Sequence, residues 1–319
     1  MGPNRLPGRE RSPCMSFNDN VQLDTSSVGG GGGGGGRGGM VVGGGILGLI
    51  IAILTMLLGG DPSQLPGGTT QDTGAQDVNS SAIKEQCKTG ADANKYVECR
   101  IVGTVNSAEA FWSEELPRYG KQFREPRTII YTQATQSACG TASNQVGPFY
   151  CPLDESIYID ASFFDILEQQ FGSSTGPLAQ EYVVAHEYGH HIQNVLGLLG
   201  RAQQDPKGED SGAVRIELMA DCFGGMWAQH ASTTKDAQGN TFLKPLTEND
   251  IRDALSAAES VGDDNIQAKT QGRVTPENWT HGSSEARQRW FIQGMKASDI
   301  NKCNTFAVND PNTQTVDNL

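Results

Sequence analysis

Three of the chain's five histidines fall within six residues, at positions 186, 190 and 191. The segment His186-Glu187-Tyr188-Gly189-His190 places two imidazoles four residues apart with a carboxylate between them. On a helix, positions i and i+4 lie one above the other on one face, so both rings can reach one metal ion. Zn²⁺ favours a tetrahedral set of nitrogen and oxygen ligands, and a catalytic site leaves one position to water. The predicted chemistry is hydrolysis by zinc-activated water, with Glu187 as general base, the pattern of a metallopeptidase.

The flanks of the motif support a helix. Pro177 suits a first helical turn. Val183, Val184, Ile192, Val195 and Leu196 supply apolar anchors, and Gly197 suits a C-cap. Gly189 costs about 1 kcal/mol relative to alanine inside a helix, which points to close approach of another backbone or of the metal site. His191 points away from the other two rings and reads as a packing or supporting histidine.

Two histidines do not complete a zinc site. The later stretch from Ala213 to Ala228 is apolar with a helical pattern, and Glu217 and Asp221 stand four residues apart on it. Acids in an apolar helix are costly unless each has a partner. A zinc ion for Glu217 and a ligating imidazole N–H for Asp221 satisfies both. The alternative is an acid pair bonded to Arg215 or to solvent. His281, in Trp279-Thr280-His281-Gly282-Ser283-Ser284-Glu285, is a candidate donor to the carbonyl oxygen on which negative charge builds. Tyr182 and Tyr188 are rival donors, and a plain loop histidine near the helix that starts at Ser283 is the bland alternative.

H-E-x-x-H followed by E-x-x-x-D on a later helix resembles the gluzincin arrangement of thermolysin-like peptidases. More closely, the chain resembles the bacterial neutral zinc metallopeptidase family. The resemblance spans most of the sequence. It is carried by the glycine-rich N-terminus with its apolar run, Cys139-Gly140-Thr141-Ala142, Gly147-Pro148-Phe149-Tyr150-Cys151-Pro152, Val184 through His191, Glu217-Leu218-Met219-Ala220-Asp221-Cys222 and Thr280 through Glu285. It implies a zinc-dependent peptidase with one Zn²⁺ per chain, and it leaves the substrate open.

Residues 1–39 are polar, with eight consecutive glycines at 29–36, a composition that forms no core. Residues 40–58 carry no charge, and at 1.5 Å per residue they span roughly 28 Å, enough for a hydrocarbon core. Four arginines precede this run and Asp61 follows it, so the positive-inside rule places the N-terminus in the cytoplasm and the remainder outside. Residues 1–60 carry +1, so the remainder carries −14 of the formal −13, which gives no reason to expect nucleic acid or an anionic membrane as a ligand. Cys14 then lies inside. The six cysteines beyond the run suggest disulfides in an oxidising compartment. Proximity favours Cys87–Cys99 and Cys139–Cys151, leaving Cys222–Cys303, with a buried free Cys222 thiol as the alternative.

The expected organisation is a cytoplasmic segment at 1–39, a transmembrane helix at 40–60, a flexible linker at 61–93 and a metallopeptidase domain at 94–319. Helices are expected over 107–119, from Ser162 to Phe171, and from the Thr247 N-cap to about Val261. Strands are expected over 127–132 and 156–160. Asp263-Asp264-Asn265 reads as a capped helix end and a solvated turn, and Asn278-Trp279-Thr280 matters only in a glycosylating host. The fold class is α+β, zincin-like, with a small strand layer on the zinc helix and a mostly helical C-terminal part. The expected function is a membrane-anchored zinc endopeptidase acting on a peptide or protein substrate. A sheet edge within residues 149–158 is a candidate peptide-binding element, with an ordinary core strand as the alternative. The rival class is a non-catalytic, zinc-stabilised binding module, against which the presence of Glu187 argues.

Overall fold

The computed structural model describes residues 16–30, 76–77, 80–143 and 146–318. The architecture is mixed α/β and mostly helical. Seven strands, β1 (Val28–Gly30), β2 (Gln76–Asp77), β3 (Arg127–Thr132), β4 (Ala134–Ser137), β5 (Gly140–Ser143), β6 (Phe149–Cys151) and β7 (Ser156–Asp160), all precede the H-E-x-x-H helix. The helices are α1 (Ser80–Gln86), α2 (Gly90–Lys95), α3 (Val97–Glu115), α4 (Phe163–Phe171), α5 (Pro177–Leu196), α6 (Gly200–Gln204), α7 (Gly212–Ala231), α8 (Glu248–Ser260), α9 (Asp263–Gln271) and α10 (Ser284–Lys296).

The main sheet runs in the order β1-β3-β7-β6, with β2 continuing the β1 side of β3. β1 and β7 are parallel to β3, and β6 is antiparallel to β7. β4 and β5 form a hairpin. A second apolar cluster of Ile129, Tyr131, Ala142, Val146, Phe149, Cys151 and Tyr158 joins the hairpin region to one face of the sheet. The helices bury the main core, in which Trp112, Trp227 and Trp290 are fully enclosed. The indole N–H of Trp227 donates to Ser107 Oγ at 3.0 Å, and that of Trp290 to the Pro311 carbonyl at 2.8 Å, so neither polar edge is stranded.

Helix punctuation follows the sequence signals. Gly197 ends α5 in the left-handed region (φ 76°), and Thr247 closes a capping box with Asp250 at the start of α8. α7 packs against both α5 and α10. Gly189 lets α5 and α7 meet: a Cβ there would stand 2.9 Å from the Ala220 carbonyl oxygen. All three expected disulfides are formed, Cys87–Cys99, Cys139–Cys151 and Cys222–Cys303. The last joins α7 to the C-terminal tail, so Cys222 is not a free thiol.

Three boundary expectations need correction. The linker drawn to residue 93 ends earlier, because α1 and α2 bury Ile83, Cys87 and Ala93 and belong to the folded body. The helix expected over 107–119 begins ten residues sooner, at Val97, and its last turn, Leu116–Tyr119, is 3-10. The largest correction concerns residues 16–30, which were assigned to a segment outside the domain. They form an arm stitched to it. Phe17 and Val21 are fully buried. Phe17 exchanges two 3.0 Å bonds with the Asn94 amide. Gly103 on α3 makes room for its ring, since a Cβ there would lie 2.6 Å from it. Asn18 N–H donates to the Phe242 carbonyl and Lys244 N–H to that of Ser16. Asn106 bonds both the N–H and the carbonyl of Asp24, and β1 then pairs with β3.

This arm bears on the membrane reading. Among the described residues no helix is long and apolar enough to cross a membrane. The apolar run at 40–60, Cys14 and residues 61–75 lie outside the described residues. Because residues 16–30 pack on residues 80–318, both must occupy the same side of any membrane. An N-terminal segment in the cytoplasm with the domain outside is incompatible with that packing.

The arm also reaches a buried acid. Glu181 on α5 is wholly enclosed and accepts a hydrogen bond from the Ser16 hydroxyl, while its other carboxylate oxygen has no partner. Burial raises its pKa to about 7, against the opposing effects of Ser16 and Arg100. A carboxyl raised above its unfolded value incurs no penalty below about pH 4.5. It destabilises the fold increasingly as pH rises through 7, by on the order of 3 kcal/mol when fully ionised. Glu181→Gln keeps the acceptor for Ser16 and removes the ionisation. The variant should therefore melt above the wild type by a margin that grows from pH 5 to pH 8.5. A pH-independent margin in calorimetry would refute this assignment.

Candidate metal centre

α5 and α7 bring together what the sequence placed on separate helices. His186, His190 and Glu217 each offer one ligand atom, and these atoms lie within 4.8 Å of one another. His186 Nε2 stands 3.2 Å from Glu217 Oε2, and His190 Nε2 3.5 Å from Glu217 Oε1. His186 and Glu217 are buried, and His190 is slightly more open. Two imidazole nitrogens and one carboxylate converging in a buried site are a donor set Zn²⁺ takes. The residues present fit that ion.

The other ring nitrogens are held in turn. His186 Nδ1 lies 2.8 Å from Asp221 Oδ1, the support expected for Asp221. His190 Nδ1 lies 2.9 Å from Gln193 Oε1, and the Gln193 amide donates to the Ile216 carbonyl on α7 at 2.6 Å. Donation from both Nδ1 positions would leave both Nε2 atoms, beside Glu217, to a bound metal ion. Neither Gln193 nor the other Asp221 partners were foreseen from the sequence. Arg287 on α10 donates from Nε to Asp221 Oδ2 at 2.9 Å and from Nη2 to Oδ1 at 3.0 Å, and the Tyr182 hydroxyl also donates to Oδ1. Arg215, the alternative partner, instead binds the carbonyls of Asp210, Thr305, Val308 and Asn309 and secures the tail. His191 is a packing residue: its Nε2–H donates to the Arg124 carbonyl at 2.6 Å and its Nδ1 meets the Tyr150 hydroxyl at 3.1 Å, tying α5 to β6.

Electrostatics sort the acids. Burial raises Glu187, with His190 and His186 opposing it. Burial would also raise Glu217, but His190 and the hydrogen bonds from both histidines hold it well below the usual range. Asp221 is likewise lowered against its burial, chiefly by Arg287. Burial disfavours charge on His186, yet the carboxylates of Asp221 and Glu217 outweigh it and raise the ring to about 9. Environments that separate carboxyl pKa values in this way separate a base from ligands.

His281 also belongs to this neighbourhood. Burial disfavours charge on its ring, but Asp263 chiefly, and then Glu217, outweigh it and raise the pKa. Asp263 is the reason it is there. Its Oδ2 accepts the backbone N–H groups of Thr280, His281 and Gly282 at 2.7, 2.6 and 3.0 Å, and its Oδ1 lies 3.2 Å from His281 Nδ1. Asp264 caps the start of α10 through Ser284. Asp263 is thus a buried brace for the His281 loop and the half-buried Asp264 a cap for α10, not a solvated turn.

The chain belongs to the family described as "Putative neutral zinc metallopeptidase", whose model matches residues 14–306. It is 52% identical to Rv2575 of Mycobacterium tuberculosis (strain ATCC 25618 / H37Rv) over 297 residues, covering 93% of this chain and 99% of that protein. It is 34% identical to YpfJ of Escherichia coli (strain K12) over 264 residues, covering 81% and 86%. Neither name states an activity. No solved structure matches the chain.

Proposed function

We propose that this protein is a zinc-dependent endopeptidase of zincin-like, gluzincin type. The observation that carries the proposal is the convergence of His186, His190 and Glu217 beside a buried Glu187. A bound zinc ion supplies Lewis-acid chemistry, polarising a carbonyl and lowering the pKa of water towards neutrality. Glu187 Oε takes the proton released during attack on the peptide carbonyl and delivers it to the leaving amine. His281, braced by Asp263, donates from its ring to the carbonyl oxygen as negative charge builds there.

The substrate of such an enzyme is a peptide or protein. β6 ends the sheet, and among the described residues no strand pairs with its outer edge. β6 also touches α5 through Tyr150, which bonds His191 and Asn194. Phe149, Tyr150 and Cys151 are all buried, however, so β6 serves as a core strand and not as an open edge for an added peptide. Three disulfides favour an oxidising compartment. The apolar run at 40–58 then attaches the protein to a membrane, with the arm and the body on one side.

The test is digestion of a broad peptide library by the intact protein, with and without a chelator and then with zinc restored. Zinc-dependent cleavage supports the reading, and zinc occupancy without cleavage of any peptide overturns it. His281→Ala should keep its zinc and lose roughly 10²–10³-fold in kcat with little change in KM. Unchanged kcat would remove His281 from the mechanism.

A further inference from the structure

We propose that Arg287 is the positioning residue of the metal centre: its guanidinium clamps Asp221 so that this carboxylate holds His186 in the orientation that offers Nε2 to the metal. The inference rests on the zinc site proposed above and extends it to a residue on a third helix.

The geometry is specific. Arg287 is 3% exposed and Asp221 is fully buried. The guanidinium meets the carboxylate with both oxygens engaged, at 2.9 and 3.0 Å, a forked contact that fixes the plane of the acid. Nη2 also lies 3.3 Å from the Tyr182 hydroxyl, and Nη1 donates to the Val261 carbonyl at 3.3 Å. Asp221 Oδ1, besides accepting from Arg287 Nη2 and the Tyr182 hydroxyl, accepts from His186 Nδ1 at 2.8 Å, and Arg287 Nη2 lies against that ring, 3.2 Å from Nδ1 and 3.5 Å from Nε2. An imidazole that donates from Nδ1 keeps its Nε2 lone pair free for a cation.

Charge points the same way. Arg287 is the cation paired with Asp221, the fully buried acid on α7. Without Arg287, Asp221 would be a buried anion without its ion-pair partner, an arrangement that is strongly destabilising. Position along the chain adds a coupling. Arg287 sits on the first turn of α10, and the His281 loop leads directly into that helix. One loop–helix unit thus packs Gly282, beside His281, against Val214 and Leu218 of α7 and sets Arg287 onto Asp221.

The experiment measures zinc affinity by competition with a chromophoric chelator, on the full chain. Lysine keeps the charge but cannot form the fork. Arg287→Lys should fold, as judged by its melting curve, and weaken zinc binding about 10–100-fold. Asp221→Asn should weaken it comparably. In the Asp221→Asn background, replacing Arg287 with methionine should weaken it no further, because the clamp has nothing left to hold. That charge-balanced double variant keeps the proposal testable should Arg287→Lys fail to fold. Wild-type affinity in Arg287→Lys, or a further full loss in the double variant, would overturn the clamp while leaving the zinc site standing. No zinc in the wild type would overturn the site and the clamp together.

Discussion

Glu187→Gln should abolish peptide hydrolysis, by roughly 10²–10⁴-fold, while the protein still carries its zinc. The two halves of this expectation separate the roles that the H-E-x-x-H segment combines. His186 and His190 lie on the α5 face that meets Glu217, and Glu187 is not among the three grouped ligands. Glutamine matches glutamate in size, so the helix packing at Gly189 and Ala220 is undisturbed. The variant loses only the ability to accept a proton at the carboxylate. Burial already biases Glu187 towards holding a proton, opposed by His190 and His186, which suits a group that must both take and return one. Metal analysis and steady-state rates on the same preparation decide the matter. Loss of zinc in the variant would make Glu187 a ligand, and retained turnover would assign the base to another residue.

Phe17→Ala should cost about 3–5 kcal/mol of stability, the range for emptying a buried aromatic site. The residue lies far from the metal ligands in sequence and near the start of the chain, where truncation is ordinarily harmless. Here it fills the space that Gly103 leaves on α3, and its backbone holds residues 242–244 through Ser16 and Asn18. The same packing makes a topological prediction. In a chain with Cys14 changed to serine, Ser26→Cys on the arm and Ser113→Cys on α3 are both exposed positions. A membrane-impermeant thiol reagent applied to intact cells should label both or neither. Labelling of one alone would place the arm and the body on opposite sides and contradict the packing of β1 on β3.

The centre of this molecule was legible because its signals are local. The metal helix has proline at its start, glycine at its end and two histidines one turn apart. The acid pair on α7 has the same spacing, and Thr247 with Asp250 writes a capping box. β3 and β7 show as runs of β-branched and aromatic residues. What stayed hidden depends on distant partners. Nothing near Arg287 marks it as the mate of Asp221, sixty-six positions earlier. Gln193 looks like any polar residue at a helix end until Ile216 fixes its amide. The arm was missed because its hold on the domain is mostly through backbone groups, which no side-chain pattern reports. Its apolar residues, Phe17, Val21 and Val28, are few and stand beside a glycine run. Similarly, Asp263 looked solvated because three of its four strong contacts are to backbone N–H groups of residues 280–282.

The central claim is that His186, His190 and Glu217 hold one zinc ion in a site open at a fourth position. X-ray absorption at the zinc edge of the purified intact protein tests it most directly. The account predicts one zinc per chain, bound by two imidazole nitrogens at about 2.0–2.1 Å and carboxylate or water oxygens at about 2.0–2.2 Å, with no sulfur shell. Glu217→Ala should abolish that signal. A zinc–sulfur distance near 2.3 Å, or a protein that takes up no zinc, would contradict it.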